Sequence, residues 1–79
     1  MNSAALLRDP RLYMQIAGSV LAQIEDGRFK PGGALPNIGE LAEQFSVSRQ
    51  TAGHALQLLA DEGLVQRVPG RGYYVCEQP

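Results

Sequence analysis

Two short amphipathic segments, separated by a three-residue break and followed by a glycine-punctuated apolar pattern, leave few folds open to this chain. Ile38, Leu41, Ala42 and Phe45 fall at i, i+3, i+4 and i+7, one face of a helix of about two turns. Ser46-Val47-Ser48 breaks that pattern, and a second stripe of Ala52, Ala55, Leu56 and Leu59 then runs to Gly63. Two short helices joined by one short turn read as a helix-turn-helix. Beyond Gly63, residues 64 to 68 and 73 to 76 are apolar and β-prone, and they flank Pro69-Gly70-Arg71-Gly72, a loop suited to a hairpin.

Upstream, Asp9-Pro10 supplies a helix cap followed by proline at the first helical position, where the missing N–H costs nothing. Leu12, Ile16, Val20 and Ile24 recur every four residues, and Ala17 and Leu21 widen the stripe. This predicts a helix of about four turns that stops at Gly27. Phe29-Lys30-Pro31-Gly32-Gly33 reads as a connector, and Ala34-Leu35-Pro36 as a short extended piece able to edge a small sheet. Asn37 is a good N-cap whose partner Glu40, three residues on, can reach back to the cap amide. Ser48 caps the next helix. The expected fold is mainly α with a small β-hairpin, a three-helix winged helix-turn-helix over residues 9–76, with an N-terminal arm at 1–8 and a tail at 77–79.

At 79 residues the chain has room for one small core, and an effector-binding domain does not fit beside it. The apolar runs are far shorter than a membrane span, and the first residues lack the form of a signal peptide, which points to the cytoplasm. Cys76 is the only cysteine, so it reads as a bystander thiol with neither a disulfide nor a zinc cluster to join. Tyr73 and Tyr74 alternate along a strand, so one should pack inward and the other outward, whereas Tyr13 and Met14 read as core or interface residues.

The chemistry-bearing stretch is the start of the second short helix, where Ser48, Arg49, Gln50 and Thr51 present two hydroxyls, a guanidinium and an amide. Such groups contact phosphates and base edges, and the first turn of a recognition helix is the part that enters the major groove of DNA. Charge argues for care, because the formal net charge is -1 where a DNA-binding domain usually has a basic face. Glu40, Glu43, Asp61 and Glu62 outnumber Arg49 between residues 37 and 62, while residues 63 to 75 carry only Arg67 and Arg71. Any positive face must therefore come from the second helix's start and from the hairpin, with the carboxylates turned away. His54 is the only histidine and lacks companions for a metal site, so a surface position or a minor DNA contact fits it better. With Lys30 the only lysine, no phosphate-cradling glycine motif exists, and no nucleophile stands at a recognisable spacing from His54. An enzyme is not expected, nor is a cofactor.

The sequence resembles the N-terminal DNA-binding domain of the GntR family of bacterial transcription regulators. The resemblance runs over residues 12 to 75 and rests on residues 12 to 17, Gly27, Pro31-Gly32, Leu35-Pro36, Glu40-Leu41-Ala42, Val47-Ser48-Arg49, Thr51, Ala55-Leu56, residues 62 to 65 and Gly70-Arg71-Gly72. It implies a sequence-specific reader of duplex DNA, most often a repressor, with the recognition helix in the major groove and the wing at the minor groove. Ser48, Arg49, Gln50 and Thr51 would then be groove and phosphate contacts, and Gly70 and Arg71 wing contacts. Asn37 stands where the family usually has serine, and its capped helix start is suited to phosphate.

Two positions depart from the family pattern. Gly39 and Gly53 stand where arginine is common and where it often touches DNA. Their absence is compatible with a different operator read by Gln50 and His54, or with a partner that supplies affinity. Homodimerisation on DNA or a partner protein is expected, since one recognition helix covers few base pairs. The competing reading is a winged helix used as a protein-interaction module, which the acidic balance and the missing arginines would also suit.

Overall fold

The structure, a computed structural model, describes residues 10–77. Helix α1 spans Pro10–Glu25, α2 Ile38–Phe45 and α3 Arg49–Asp61, and strands β1 (Val65–Val68) and β2 (Gly72–Val75) pair antiparallel. This is the three-helix winged helix-turn-helix that the sequence predicts. Asp9, expected as the first cap, lies outside the described residues.

Each helix ends by the same hydrogen-bonded device. After α1, the Arg28 N–H donates to the Gln23 carbonyl at 3.0 Å and the Gly27 N–H to that of Ile24 at 3.2 Å, with Gly27 at φ 90°. After α3, Leu64 donates back to Leu59 and Gly63 to Ala60, both at 3.0 Å, around a Gly63 φ of 79°. These are Schellman closures, which return two otherwise orphaned helix-end carbonyls to use. Between α2 and α3 the same closure falls on a serine: Val47 donates to Ala42 at 2.9 Å, and Ser46 takes φ 55° and ψ 46°. The turn of the helix-turn-helix thus holds a non-glycine residue in the left-handed region, a conformation that costs an L-residue roughly 1–2 kcal/mol. It is the only such residue among those described.

Both caps on the turn side are built as expected. The Asn37 Oδ1 accepts from the Glu40 N–H at 2.8 Å while the Glu40 carboxylate accepts from the Asn37 N–H at 3.0 Å, a full capping box. The Ser48 Oγ accepts from the Thr51 N–H at 3.1 Å and donates to the Thr51 Oγ1 at 3.0 Å.

The core joins Ile16, Ala17 and Val20 of α1, Leu41 and Ala42 of α2, and Ala52, Ala55, Leu56 and Leu59 of α3 to Leu35, Val65, Tyr73 and Val75. The α3 stripe is buried as its spacing predicts. The α1 stripe is buried only in its middle: Leu12 is 36% exposed, and Leu21 and Ile24 pack at the margin. Met14 is exposed, not a core residue, and of the two hairpin tyrosines Tyr73 is the inward one. The piece at residues 32–35 lies along β2. Val75 donates to the Gly33 carbonyl and Leu35 to that of Tyr73, both at 2.9 Å, and Ala34 bridges Tyr74. The extended Ala34-Leu35-Pro36 therefore edges the hairpin, as its proline implied.

Candidate nucleic-acid interface

The starts of α2 and α3 and the tip of the hairpin converge on one open cleft of about 440 Å³, lined by Asn37, Ile38, Gly39, Arg49, Arg67, Val68, Gly70, Arg71, Gly72 and Tyr73. Three guanidinium groups and no carboxylate line it. Among the described residues, no ion pair or hydrogen bond engages the Arg49, Arg67 or Arg71 side chain. Their charge is therefore open to a ligand, although the chain as a whole carries -1. The carboxylates are placed elsewhere: Glu40 is committed to its cap, and Asp61, at the far end of α3, accepts from the Gln57 amide at 2.9 Å. An uneven distribution of this kind gives a locally positive surface on a weakly acidic protein.

Arg49 is the first residue of α3, set by the Ser48 cap, and its guanidinium reaches the start of α2. A Cβ built on Gly39 would lie 3.0 Å from the Arg49 Nη2 and 3.5 Å from its Cζ, so the guanidinium rests on the bare backbone of Gly39. Arg71 sits in the hairpin turn, where its N–H donates to the Val68 carbonyl at 2.9 Å.

Arg67, part of the positive charge of the hairpin but not of the expected contact set, also lines the cleft. Its signal is strand alternation: with Val65 buried, the residue two further along β1 must face the same way. Arg67 pairs with the buried Tyr73 in the register and shares a side of the hairpin with Val65, yet Arg67 itself is exposed.

Of the expected contact residues, Asn37, Arg49, Gly70 and Arg71 line this cleft, while Ser48 and Gln50 are exposed beside it at the start of α3. Thr51 differs. Its side chain is buried at 3% exposure and its hydroxyl is held by Ser48, because the residue three past the cap turns back over the helix start. His54 stands apart, further along α3, exposed and edge-on to the Tyr13 ring with centroids 5.4 Å apart. It shares the outward face of α3 with Gln50, one turn earlier. Gly53 faces Ile38, whose Cδ1 would lie 3.6 Å from an added Cβ.

Two helices crossing at a tight turn, a third packed behind them and a hairpin flanking the second helix's start define a winged helix-turn-helix domain, of the kind that places a recognition helix against a nucleic-acid groove. The model of bacterial regulatory proteins of the gntR family matches residues 12–75. The chain belongs to the GntR family. It is 44% identical over 66 residues to the HTH-type transcriptional repressor NagR of Bacillus subtilis, covering 84% of this chain and 27% of that protein. It is 42% identical over 67 residues to the mannosyl-D-glycerate transport/metabolism system repressor MngR of Escherichia coli, covering 85% of this chain and 28% of that one. The chain thus spans little more than a quarter of these relatives' length. Among solved structures, the DNA-binding domain of AraR in complex with an operator matches at a TM-score of 0.79 and 34% identity, covering 81% of this chain and 77% of that one.

Proposed function

We propose that this chain binds duplex DNA in a sequence-dependent way and serves as the DNA-reading unit of a bacterial transcriptional repressor. The observation that carries this reading is the convergence of three unpaired arginines on a carboxylate-free cleft between two helix starts and a hairpin tip. In this reading α3 enters the major groove, with Arg49 and Gln50 at base edges or phosphates and Ser48 and His54 along the same face. Arg71, Gly70 and Arg67 meet the backbone near the minor groove, and Asn37 brings the start of α2 to a phosphate. Thr51 acts from inside, holding the Ser48 cap from which Arg49 projects. The repressor NagR and the operator-bound AraR domain support the assignment by likeness.

Residues 9–76 form the DNA-reading unit in this proposal, working in the cytoplasm where the chromosome is, without catalysis or cofactor, and as two copies on related half-sites. Among the described residues no helix is long and apolar enough to cross a membrane, and no cluster of side chains is arranged to hold a metal ion.

Fluorescence titration of the 79-residue chain with a mixed-sequence duplex tests the reading. Binding at low salt should weaken steeply as salt rises, with a logarithmic slope of about 3 if each cleft arginine neutralises one phosphate. No binding at low salt would instead favour the protein-interaction module.

A further inference from the structure

Gly39 sits in the first turn of α2, a place where glycine costs helix stability without any call from the backbone for a left-handed conformation. The residue meets the Arg49 guanidinium from α3 closely enough that a side chain would press on it: an added Cβ would be 3.0 Å from Nη2, 3.5 Å from Cζ and 3.4 Å from the Asn37 Oδ1. These three atoms belong to the cleft's own lining. Arg49 has no acceptor of its own to fix its orientation among the described residues, so the flat shelf at Gly39 is what it lies against. The contrast within the molecule is Gly18, where an added Cβ would meet nothing within 4 Å.

We infer that Gly39 is a positioning residue for DNA recognition, which sets the direction in which the Arg49 guanidinium is offered to DNA and so determines part of the sequence preference. This inference rests on the DNA-binding reading above. The guanidinium beside Gly39 lines the same cleft as the hairpin arginines Arg67 and Arg71. A side chain at position 39 takes up part of that shelf and displaces the guanidinium, the more so the larger it is. A methyl group requires Arg49 to give by a few tenths of an ångström, whereas a leucine occupies the space outright. Bidentate recognition of a base edge depends on the plane of the guanidinium, so its redirection changes preference as well as affinity.

The test is a double-mutant cycle on the 79-residue chain, using Gly39→Leu, Arg49→Ala and their combination, with Gly39→Ala and Gly18→Ala as companions. Each variant is scored against a library of duplexes with a randomised centre, and against one mixed-sequence duplex titrated over a range of salt. Melting by circular dichroism accompanies each measurement. Gly39→Leu should fold at least as stably as wild type, yet lose preference for the wild-type consensus by about fivefold or more. Gly39→Ala should move in the same direction by less, and Gly18→Ala should leave DNA binding untouched. In the Arg49→Ala background, Gly39→Leu should have no further effect on preference.

If wild type selects a consensus and Arg49→Ala loses it, but Gly39→Leu retains it, the positioning role is overturned while DNA binding stands. Equal loss from Gly39→Leu with and without Arg49 also overturns it, since Gly39 would then act through its own approach to DNA. Failure of the wild-type chain to bind any duplex at low salt removes the DNA-binding reading itself.

Discussion

At the scale of single residues, Arg49 and Arg71 occupy opposite sides of the same cleft and differ in how they are held. Arg49 projects from a capped helix and rests on backbone, while Arg71 sits in a two-stranded turn and is exposed. Arg49→Ala should weaken DNA binding by more than about 1 kcal/mol and flatten base preference. Arg71→Ala should weaken binding more uniformly across sequences and lower the salt slope by about 1. Both variants should keep the wild-type circular dichroism, because neither side chain contributes to the core. Affinity unchanged in both would mean that the cleft is not the DNA surface. Ser46 gives a separate prediction, on stability. Its left-handed backbone is relieved by glycine, so Ser46→Gly should stabilise the chain by about 0.5 to 1 kcal/mol after glycine's larger unfolded-state entropy is subtracted. Thermal melting should rise by roughly 2 to 8 °C, and a fall would show that the serine hydroxyl matters more than the strain.

At the scale of elements, the helix boundaries and the turn are legible in the sequence because their signals are local. Asn37 with Glu40, Ser48, Gly27 and Gly63 each act within a few residues of themselves, and the structure puts caps and closures there. What crosses between elements is not legible in that way. Thr51 reads as one more polar residue of a first turn until the fold buries it, and nothing local in Gly39 announces the guanidinium of a residue ten positions later. Arg67 lies between these cases, since strand alternation places it inward but only the packed hairpin shows that inward there means the cleft. The two family departures also separate once packed. At Gly53 an added Cβ makes ordinary contact with Ile38, so Gly53→Arg should raise helix stability by up to about 1 kcal/mol and steepen the salt slope of non-specific binding by about 1 if the new cation reaches phosphate. Gly39→Arg, which the family pattern alone suggests should act in the same way, instead presses a second cation onto Arg49. Parallel salt titrations of the two variants would distinguish them, and an unchanged slope for Gly53→Arg would mean that this face of α3 does not meet DNA.

At the scale of the whole molecule, the described residues expose little large apolar surface with which two copies could hold together tightly. Among the described residues the large exposed hydrophobic side chains are Leu12 and Met14, both on α1, whereas a stable interface buries about 1,000 Å² or more. The 79-residue chain should therefore sediment as a monomer at micromolar concentration and pair only on symmetric half-sites. A tight dimer without DNA would contradict this and would direct attention to α1 around Met14.

The stitching of residues 32–35 to β2 has a mechanical outcome for the ligand. Gly32 donates to Val75, Val75 to Gly33 and Leu35 to Tyr73, all within 2.8–2.9 Å, and Asn37 follows two residues after Leu35. These bonds tie β2 of the hairpin to the lead-in of α2, as the hinge of a calliper sets the gauge between its two jaws. If the chain reads DNA as proposed, a duplex has to meet that gauge, so base steps that bend or narrow a groove cheaply should be favoured even where no side chain touches them. Amide exchange offers a direct measure of the jaws' stiffness: Leu35 and Val75 should exchange only through global opening, while Arg71 at the hairpin tip exchanges through local fluctuation.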